Sequence, residues 1–295
     1  MPRKQHYSSI PSYDELMMPT VKALISLGGS GTNGEINNKV YEITNLSEEV
    51  LQIPHGKEGA VSEIYYRLAW SRTHLKNIGI IENSSRGVWV ISTNINVAEL
   101  SNDEIIELIT AAKKTSISQI EQPRQKQPQR RKSQATNGSE TQKEWKSTLL
   151  ELLYRISPAA FERLAQRLLR ESEFSQVEVT GKVGDGGIDG KGIVKVGGLV
   201  SFRVIFQCKR YRGSVSPSQI RDFRGAMQGR ADKGLFITTG RFTEEAKKEA
   251  TRDGVPLIDL IDGDLLCEKM KELKLGIDTE LIEVVNINHE WFDHL

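Results

Sequence analysis

The stretch that decides the fold is Gly184-Asp185-Gly186-Gly187-Ile188-Asp189-Gly190, followed after a short interval by Phe206-Gln207-Cys208-Lys209-Arg210. The interval contains Gly197-Gly198, a turn signal ahead of a run of β-branched and aromatic residues. This spacing predicts a β-hairpin. Its two arms bring the side chains of Asp189 and Lys209 together.

The second arm of this hairpin alternates with a period of two. Gln207 and Lys209 therefore share one face of the strand, and Phe206 and Cys208 share the other. We expect one face to pack and the other to carry chemistry. Asp189 adds a carboxylate to this polar face, and Gln207 supplies an amide oxygen; both kinds of oxygen suit a hard cation. Lys209 supplies an ammonium group that can stabilise the negative charge developing on a phosphate. These groups favour metal-dependent hydrolysis of a phosphodiester, with Mg²⁺ or Mn²⁺ as cofactor.

A further carboxylate is expected nearby because Gln207 is neutral, and Glu162 is the candidate. Glu162 lies in a predicted helix that has Ser157 as its N-cap and Pro158 at its first helical position. An acidic residue in a first helical turn also complements the helix dipole, so its position alone does not make it a ligand. Asp185 is a second candidate ligand, although we favour its interpretation as a turn residue between glycines.

These motifs carry a resemblance to a known family. Residues 157–270 resemble the catalytic domain of the Mrr family of restriction endonucleases, in the PD-(D/E)xK nuclease superfamily, and Phe236-Ile237-Thr238-Thr239 adds to the match. The resemblance implies that Asp189 holds the metal and that Gln207 stands where most of the superfamily has an acid. Ile188 replaces the proline of the superfamily name. The implied catalytic residues are Glu162, Asp189, Gln207 and Lys209, and the implied metal ligands are Asp189, Gln207 and Glu162.

The pattern beyond Lys209 alternates between helix and strand. We predict a helix from Ser216 to about Gly229, a strand over 233–239, a helix from Thr243 to near Gly254 and a strand over 255–260. This order predicts an α/β domain with a mixed sheet flanked by helices, like that of restriction endonucleases. Two basic residues directly after the site are candidate DNA contacts, namely Arg210 and Arg212.

The N-terminal part predicts a mainly helical winged-helix domain. Helices are expected over 13–27, 33–43 and 60–77, with a Gly-rich turn at 28–31 and a hairpin over 80–91. In that geometry the third helix enters the major groove of DNA. The candidate DNA contacts are Arg67, Arg72 and Lys76 on the third helix and Arg86 on the wing.

Residues 14–92 also resemble the N-terminal domain of the Mrr family. Within the third helix we expect Leu68, Trp70 and Leu75 to belong to the core. Winged helices also bind proteins, and the slightly negative charge of this part of the chain keeps that alternative open.

The chain has 295 residues, which predicts two domains joined by a linker. The expected divisions are 1–117, a basic flexible linker at 118–143, and 144–295. The linker region has few large apolar residues and is rich in glutamine, lysine and arginine, a composition that does not form a core. Only 2 cysteines are present, without paired spacing, and no apolar run is long enough to span a membrane. These features predict a cytoplasmic protein.

The function expected from the resemblance is restriction of methylated double-stranded DNA. Cutting both strands needs two active sites, which predicts a homodimer or a higher homo-oligomer. Two alternatives remain at this point. One is a structure-directed nuclease that acts on junctions or nicks, and the other is a noncatalytic DNA-binding regulator that retains the fold.

Overall fold

The computed structural model describes residues 10–56, 61–92, 103, 106–107, 109–111, 140–179, 187–197 and 199–280. Most of the predicted linker at 118–143 lies outside these residues, and so does Asp185. A helix over Glu140–Arg155 begins inside the predicted linker. No helix within the described ranges is both long enough and apolar enough to cross a membrane.

The described part of the N-terminal domain combines helices with a small sheet. Its helices are α1 (Met17–Ser26), α2 (Asn33–Thr44), α3 (Glu48–Leu51) and α4 (Glu63–Asn77). Its strands are β1 (Ser30–Thr32), β2 (Ile81–Ser85) and β3 (Val88–Ile91). Strand β3 lies between β1 and β2 and is antiparallel to both. Helices α1, α2 and α4 with the β2–β3 hairpin form the predicted winged helix.

The differences from expectation in this domain are local. The Gly-rich turn predicted at 28–31 is shorter, because the chain pairs with β3 from Ser30 onward. Helix α2 starts at a capping box in which the Glu35 carboxylate accepts the backbone N–H of Thr32 and the Thr32 hydroxyl accepts that of Glu35. Helix α3 was not predicted. Its single turn lies between α2 and α4 in the chain.

The C-terminal domain is built on a five-stranded mixed sheet. Its helices are α5 (Glu140–Arg155), α6 (Pro158–Glu171), α7 (Pro217–Met227), α8 (Glu244–Ala250) and α9 (Gly263–Glu272). Its strands are β4 (Ser175–Val179), β5 (Gly190–Val196), β6 (Val200–Lys209), β7 (Ser214–Val215), β8 (Lys233–Thr238), β9 (Arg241–Phe242) and β10 (Ile258–Ile261).

The sheet order is β10-β8-β6-β5-β4. Strands β6, β8 and β10 are parallel, and β4, β5 and β6 are antiparallel. One face packs on α5, α6 and α9, and the other packs on α7 and α8. The predicted mixed α/β architecture and the β5–β6 hairpin are thus confirmed. Strand β4 and helix α9 were not predicted.

One expectation about β6 is wrong. We expected one face to pack and the other to carry chemistry, but Ile205 and Phe206 are both buried, each in a different cluster of the core. The strand is central, so helices cover it on both sides. Its middle, from Val204 to Phe206, is buried, whereas its amino half and its carboxyl end, from Gln207 to Lys209, are at least partly exposed. The functional surface is therefore an end of the strand rather than a face.

Candidate nuclease site

The β5–β6 hairpin places the Asp189 carboxylate at the carboxyl end of β6. Gly190 pairs with Phe206, and the backbone N–H of Asp189 donates to the Phe206 carbonyl at 3.0 Å. The Asp189 carboxylate in turn accepts the backbone N–H of Cys208 at 2.6 Å, through Oδ2. Cys208 lies between Gln207 and Lys209, so Asp189 is fixed beside both predicted partners.

The Gln207 side chain lies against the backbone of Gly187. A Cβ added to Gly187 would overlap the Gln207 amide nitrogen and lie 3.5 Å from its Cδ. Gly187 also has φ of +82°, a conformation that L side chains rarely adopt. Gly187 therefore serves two purposes, since it allows the turn and leaves room for the Gln207 amide.

Glu162 lies on α6 and is half-buried. Burial raises the pKa of the Cys208 thiol well above its ordinary value, and the carboxylates of Asp189 and Glu162 act in the same direction. Both carboxylates are therefore close enough to act on the Cys208 thiol electrostatically. Helix α6 begins as predicted, with the Ser157 hydroxyl accepting the N–H of Ala160 and Pro158 at its start.

The backbone at Lys209 is held by two threonines, Thr238 at the end of β8 and Thr239 directly after it. The Thr238 hydroxyl donates to the Lys209 carbonyl at 2.8 Å, and the Thr239 N–H donates to the same oxygen at 3.3 Å. The Thr239 hydroxyl also accepts the N–H of Tyr211 at 2.8 Å. This arrangement gives the Thr238-Thr239 motif a physical role. It fixes the strand end that presents Lys209.

The chemistry of the donor set fits a hard divalent cation. Asp189 and Glu162 supply carboxylate oxygens and Gln207 an amide oxygen, and Mg²⁺ and Mn²⁺ prefer such ligands. No cluster of three or more His, Cys, Asp or Glu side chains suited to a metal ion occurs among the described residues. A metal at this position would therefore need the Gln207 amide, or other oxygens, beside the two carboxylates.

The structure corrects the role expected of Arg72. This side chain is only 2% exposed and donates to the Asn37 side-chain oxygen at 2.6 Å. Burial lowers the pKa of Arg72 to about 10. The predicted DNA contact is wrong for this residue, because its guanidinium joins α4 to α2 inside the domain. Sequence periodicity does not reveal such a buried arginine, since the residue type alone favours exposure.

Two further arginines are engaged within the protein. Arg67 bonds to the Glu63 carboxylate at 2.8 Å and to the Ile10 carbonyl at 2.6 Å. Arg210 donates to the carbonyls of Tyr154 and Ile156, at the carboxyl end of α5. These contacts give both guanidinium groups a structural role.

The remaining predicted DNA contacts lie at the surface. Lys76 and Arg86 are exposed. Arg212 is exposed as well, forms an ion pair with Glu151 at 2.9 Å and lies 4.2 Å from the centre of the Tyr154 ring. An exposed pair of this kind is weak and is readily exchanged for a phosphate.

Sequence reasoning missed an aromatic ladder on the outside of α4. Its rings contact one another in the order His55, Tyr66, Trp70, His74 and Tyr13, with centroids 3.7, 6.3, 6.0 and 4.7 Å apart. Trp70 was expected in the core but is 45% exposed. The spacing of four residues from Tyr66 to His74 marks one helix face in the sequence. Which face points outward depends on the packing of α4 against α1.

The fold and the clustered site together define a nuclease of the restriction-endonuclease class. Residues 153–270 match a family described as "Restriction endonuclease", and residues 13–94 match one described as "Mrr N-terminal domain". The chain belongs to the Mrr family of restriction endonucleases. It is a hydrolase.

Similar proteins include a curated relative from Escherichia coli strain K12, named "Type IV methyl-directed restriction enzyme EcoKMrr". It is 24% identical over 316 residues, which cover 97% of this chain and 100% of that protein. An uncharacterised mitochondrial protein of Schizosaccharomyces pombe is 30% identical over 101 residues, which cover 33% of this chain and 40% of that protein.

Solved structures with similar regions include those of two restriction endonucleases. MspJI in complex with a 27-mer oligonucleotide is 26% identical with a TM-score of 0.37, and the match covers 59% of this chain and 42% of that one. The DNA modification-dependent enzyme AspBHI is 17% identical with a TM-score of 0.39, covering 65% and 52%. The chain thus spans about half the length of these solved structures or less.

Proposed function

We propose that this protein is a divalent-metal-dependent endonuclease that cuts methylated double-stranded DNA. The observation that carries the proposal is the position of Asp189, whose carboxylate is bonded to the backbone between Gln207 and Lys209. Glu162 supports it as a second carboxylate that acts electrostatically on the Cys208 thiol. The proposal of a methylated substrate comes from the relative of Escherichia coli strain K12, whose name describes it as methyl-directed.

Asp189, Glu162 and Gln207 are the residues that would hold Mg²⁺ or Mn²⁺. Such an ion polarises the phosphoryl oxygen and acidifies an attacking water. The Lys209 ammonium stabilises the negative charge that develops on the phosphate. The hydrogen bond from the Cys208 N–H fixes the Asp189 carboxylate, and the bond from the Thr238 hydroxyl to the Lys209 carbonyl fixes the backbone that carries the lysine. Preorganisation of this kind lowers the reorganisation needed in the transition state.

The N-terminal domain is proposed to bind DNA through α4 and the wing. Lys76 and Arg86 are the exposed cations of this surface and would contact phosphates. The aromatic ladder lies on the outer side of the same helix. Aromatic and methyl side chains make apolar contacts with the thymine methyl in the major groove, and a methylated cytosine presents a similar group. Arg210 and Arg212 belong to the nuclease domain. Of these two arginines, Arg212 is the exposed one, and we propose that it contacts DNA.

Cutting both strands requires two sites, so we propose a homodimer or higher homo-oligomer on DNA. We also propose that the protein acts in the reducing cytoplasm, where its two cysteines, Cys208 and Cys267, would stay free.

A substitution test separates catalysis from binding. Asp189→Ala and Lys209→Ala proteins are expected to bind DNA like the wild type and to lose cutting, as measured by fluorescence anisotropy and by plasmid cleavage with Mg²⁺. Retained cutting in both variants would remove these residues from the site. Tight binding without cutting by the wild type would instead favour a noncatalytic regulator.

A further inference from the structure

A buried ion pair joins the two domains. Arg170, on α6 of the nuclease domain, is 2% exposed, and its Nε lies 3.1 Å from Oε2 of Glu35 on α2 of the N-terminal domain. The same guanidinium donates to the Leu27 carbonyl at 3.1 Å and to the Ser30 hydroxyl at 2.9 Å. Three acceptors of one domain thus surround an arginine of the other.

The pair also holds an irregular strand of the nuclease domain. Strand β4 shifts register between Ser175 and Glu178, and Gln176 has φ of +53°. The N–H of Val177 at this bulge donates to Oε1 of Glu35 at 2.6 Å, and its carbonyl accepts from Nη2 of Arg170 at 3.0 Å. Backbone groups at a bulge lack ladder partners. Here a residue of the other domain satisfies the N–H.

The two elements held by the pair lead to the two carboxylates of the site. Helix α6 carries both Arg170 and Glu162, two turns apart. Strand β4 ends at Val179, ten residues before Asp189 in the sequence. Glu162, Glu35 and Arg170 also line one interdomain cleft of about 850 Å³.

We propose that Glu35 and Arg170 are a positioning pair that sets the placement of Glu162 relative to Asp189, so that the N-terminal domain completes the nuclease site as well as binding DNA. The inference rests on the proposed metal site. It gives the N-terminal domain a direct connection to catalysis, because any movement of α2 on DNA displaces both α6 and β4.

A purely structural pair would behave differently. Removing one partner of a buried ion pair leaves the other charged and unsatisfied, which lowers stability whatever the pair does. A positioning pair must in addition change metal binding and turnover under conditions in which the protein is fully folded. The experiment therefore measures these quantities well below the melting temperature.

The test uses Glu35→Gln and Arg170→Lys in the full chain. Glutamine is accepted at the third position of a capping box, so Glu35→Gln keeps the start of α2 while removing the charge. The matched control is Glu42→Gln, the same change on the same helix and cleft, at an exposed residue paired with Lys39 at 2.7 Å. Three quantities are measured: Mn²⁺ affinity without DNA by calorimetry, DNA affinity by anisotropy, and kcat for plasmid cleavage.

We expect the Glu35→Gln and Arg170→Lys proteins to bind Mn²⁺ about 10-fold more weakly than the wild type. Their kcat should fall by about 10- to 100-fold, as for a displacement of a catalytic group, here Glu162, by about 1 Å. DNA affinity should stay within about 2-fold, and Glu42→Gln should match the wild type. In the double variant the two losses should not add, because the residues act as one unit.

Three results would overturn the inference: Mn²⁺ affinity equal to that of the wild type, a kcat that rises in either variant, or a loss of cutting explained by weaker DNA binding. Failure of the proposed function gives a different result. If the wild type binds no Mn²⁺, the proposed metal site itself is refuted. If the wild type binds Mn²⁺ and the Glu35→Gln protein binds it equally well, only the positioning role of the Glu35–Arg170 pair is refuted.

Discussion

Gly190→Ala is the substitution whose consequence follows most directly from the geometry of the site. Gly190 follows Asp189 and begins β5 between β4 and β6. A Cβ at this position would lie 2.7 Å from Cε1 of Phe206 and closer still to Cζ of that ring and to the Glu178 carbonyl oxygen. Carbon atoms in contact are normally about 3.5–4.0 Å apart. Relief of the overlap therefore requires movements of about 1 Å on both sides of the strand.

We expect Gly190→Ala to cost about 1–3 kcal/mol of unfolding free energy, the usual range for overpacking, measured by urea denaturation. Cutting should fall by about 100-fold, because the displaced residue adjoins Asp189. The control is Gly192→Ala on the same strand, where an added Cβ lies 3.4 Å from Phe174 and meets only ordinary contacts. If Gly190→Ala and Gly192→Ala have the same stability and cutting, the close packing argued for Gly190 is refuted.

Three other predictions use different observations. Arg72→Ala should lower the unfolding free energy by about 2–3 kcal/mol in urea denaturation, because it removes a buried hydrogen bond to a charged group; a neutral result would place this side chain outside the core. Lys76→Ala should leave stability within about 0.5 kcal/mol of the wild type and reduce the slope of log DNA affinity against log salt by about 1, whereas an unchanged slope would remove this phosphate contact. The Cys267 thiol, which is buried and whose pKa burial raises to about 11, should react with Ellman's reagent at neutral pH only after unfolding; rapid reaction of both cysteines in the folded protein would contradict its burial.

The sequence predicts the hairpin and the strand end because both depend on local spacing. The turn signal at Gly197 predicts the hairpin, and the observed register runs from Val196 opposite Val200 to Gly190 opposite Phe206, which brings Asp189 to the carboxyl end of β6. Start signals such as Ser157 with Pro158 also act within a few residues. These features need no knowledge of the rest of the chain.

The features that the sequence did not predict depend on packing between distant segments. Arg170 and Glu35 are 135 residues apart, and neither position has a pattern that identifies its partner. Trp70 and Arg72 exchange their expected environments, the first exposed and the second buried, because α4 turns a polar residue toward Asn37 on α2. Residue type alone predicts the opposite for both.

The central claim is that Asp189 belongs to a metal-dependent site that cuts methylated DNA. The most direct measurement is Mg²⁺-dependent cleavage of methylated and unmethylated plasmid by the wild type beside Asp189→Ala. The account predicts cutting of the methylated plasmid only, and its loss in the variant. Equal cutting of both plasmids would contradict the methylation proposal, and undiminished cutting by Asp189→Ala would contradict the site.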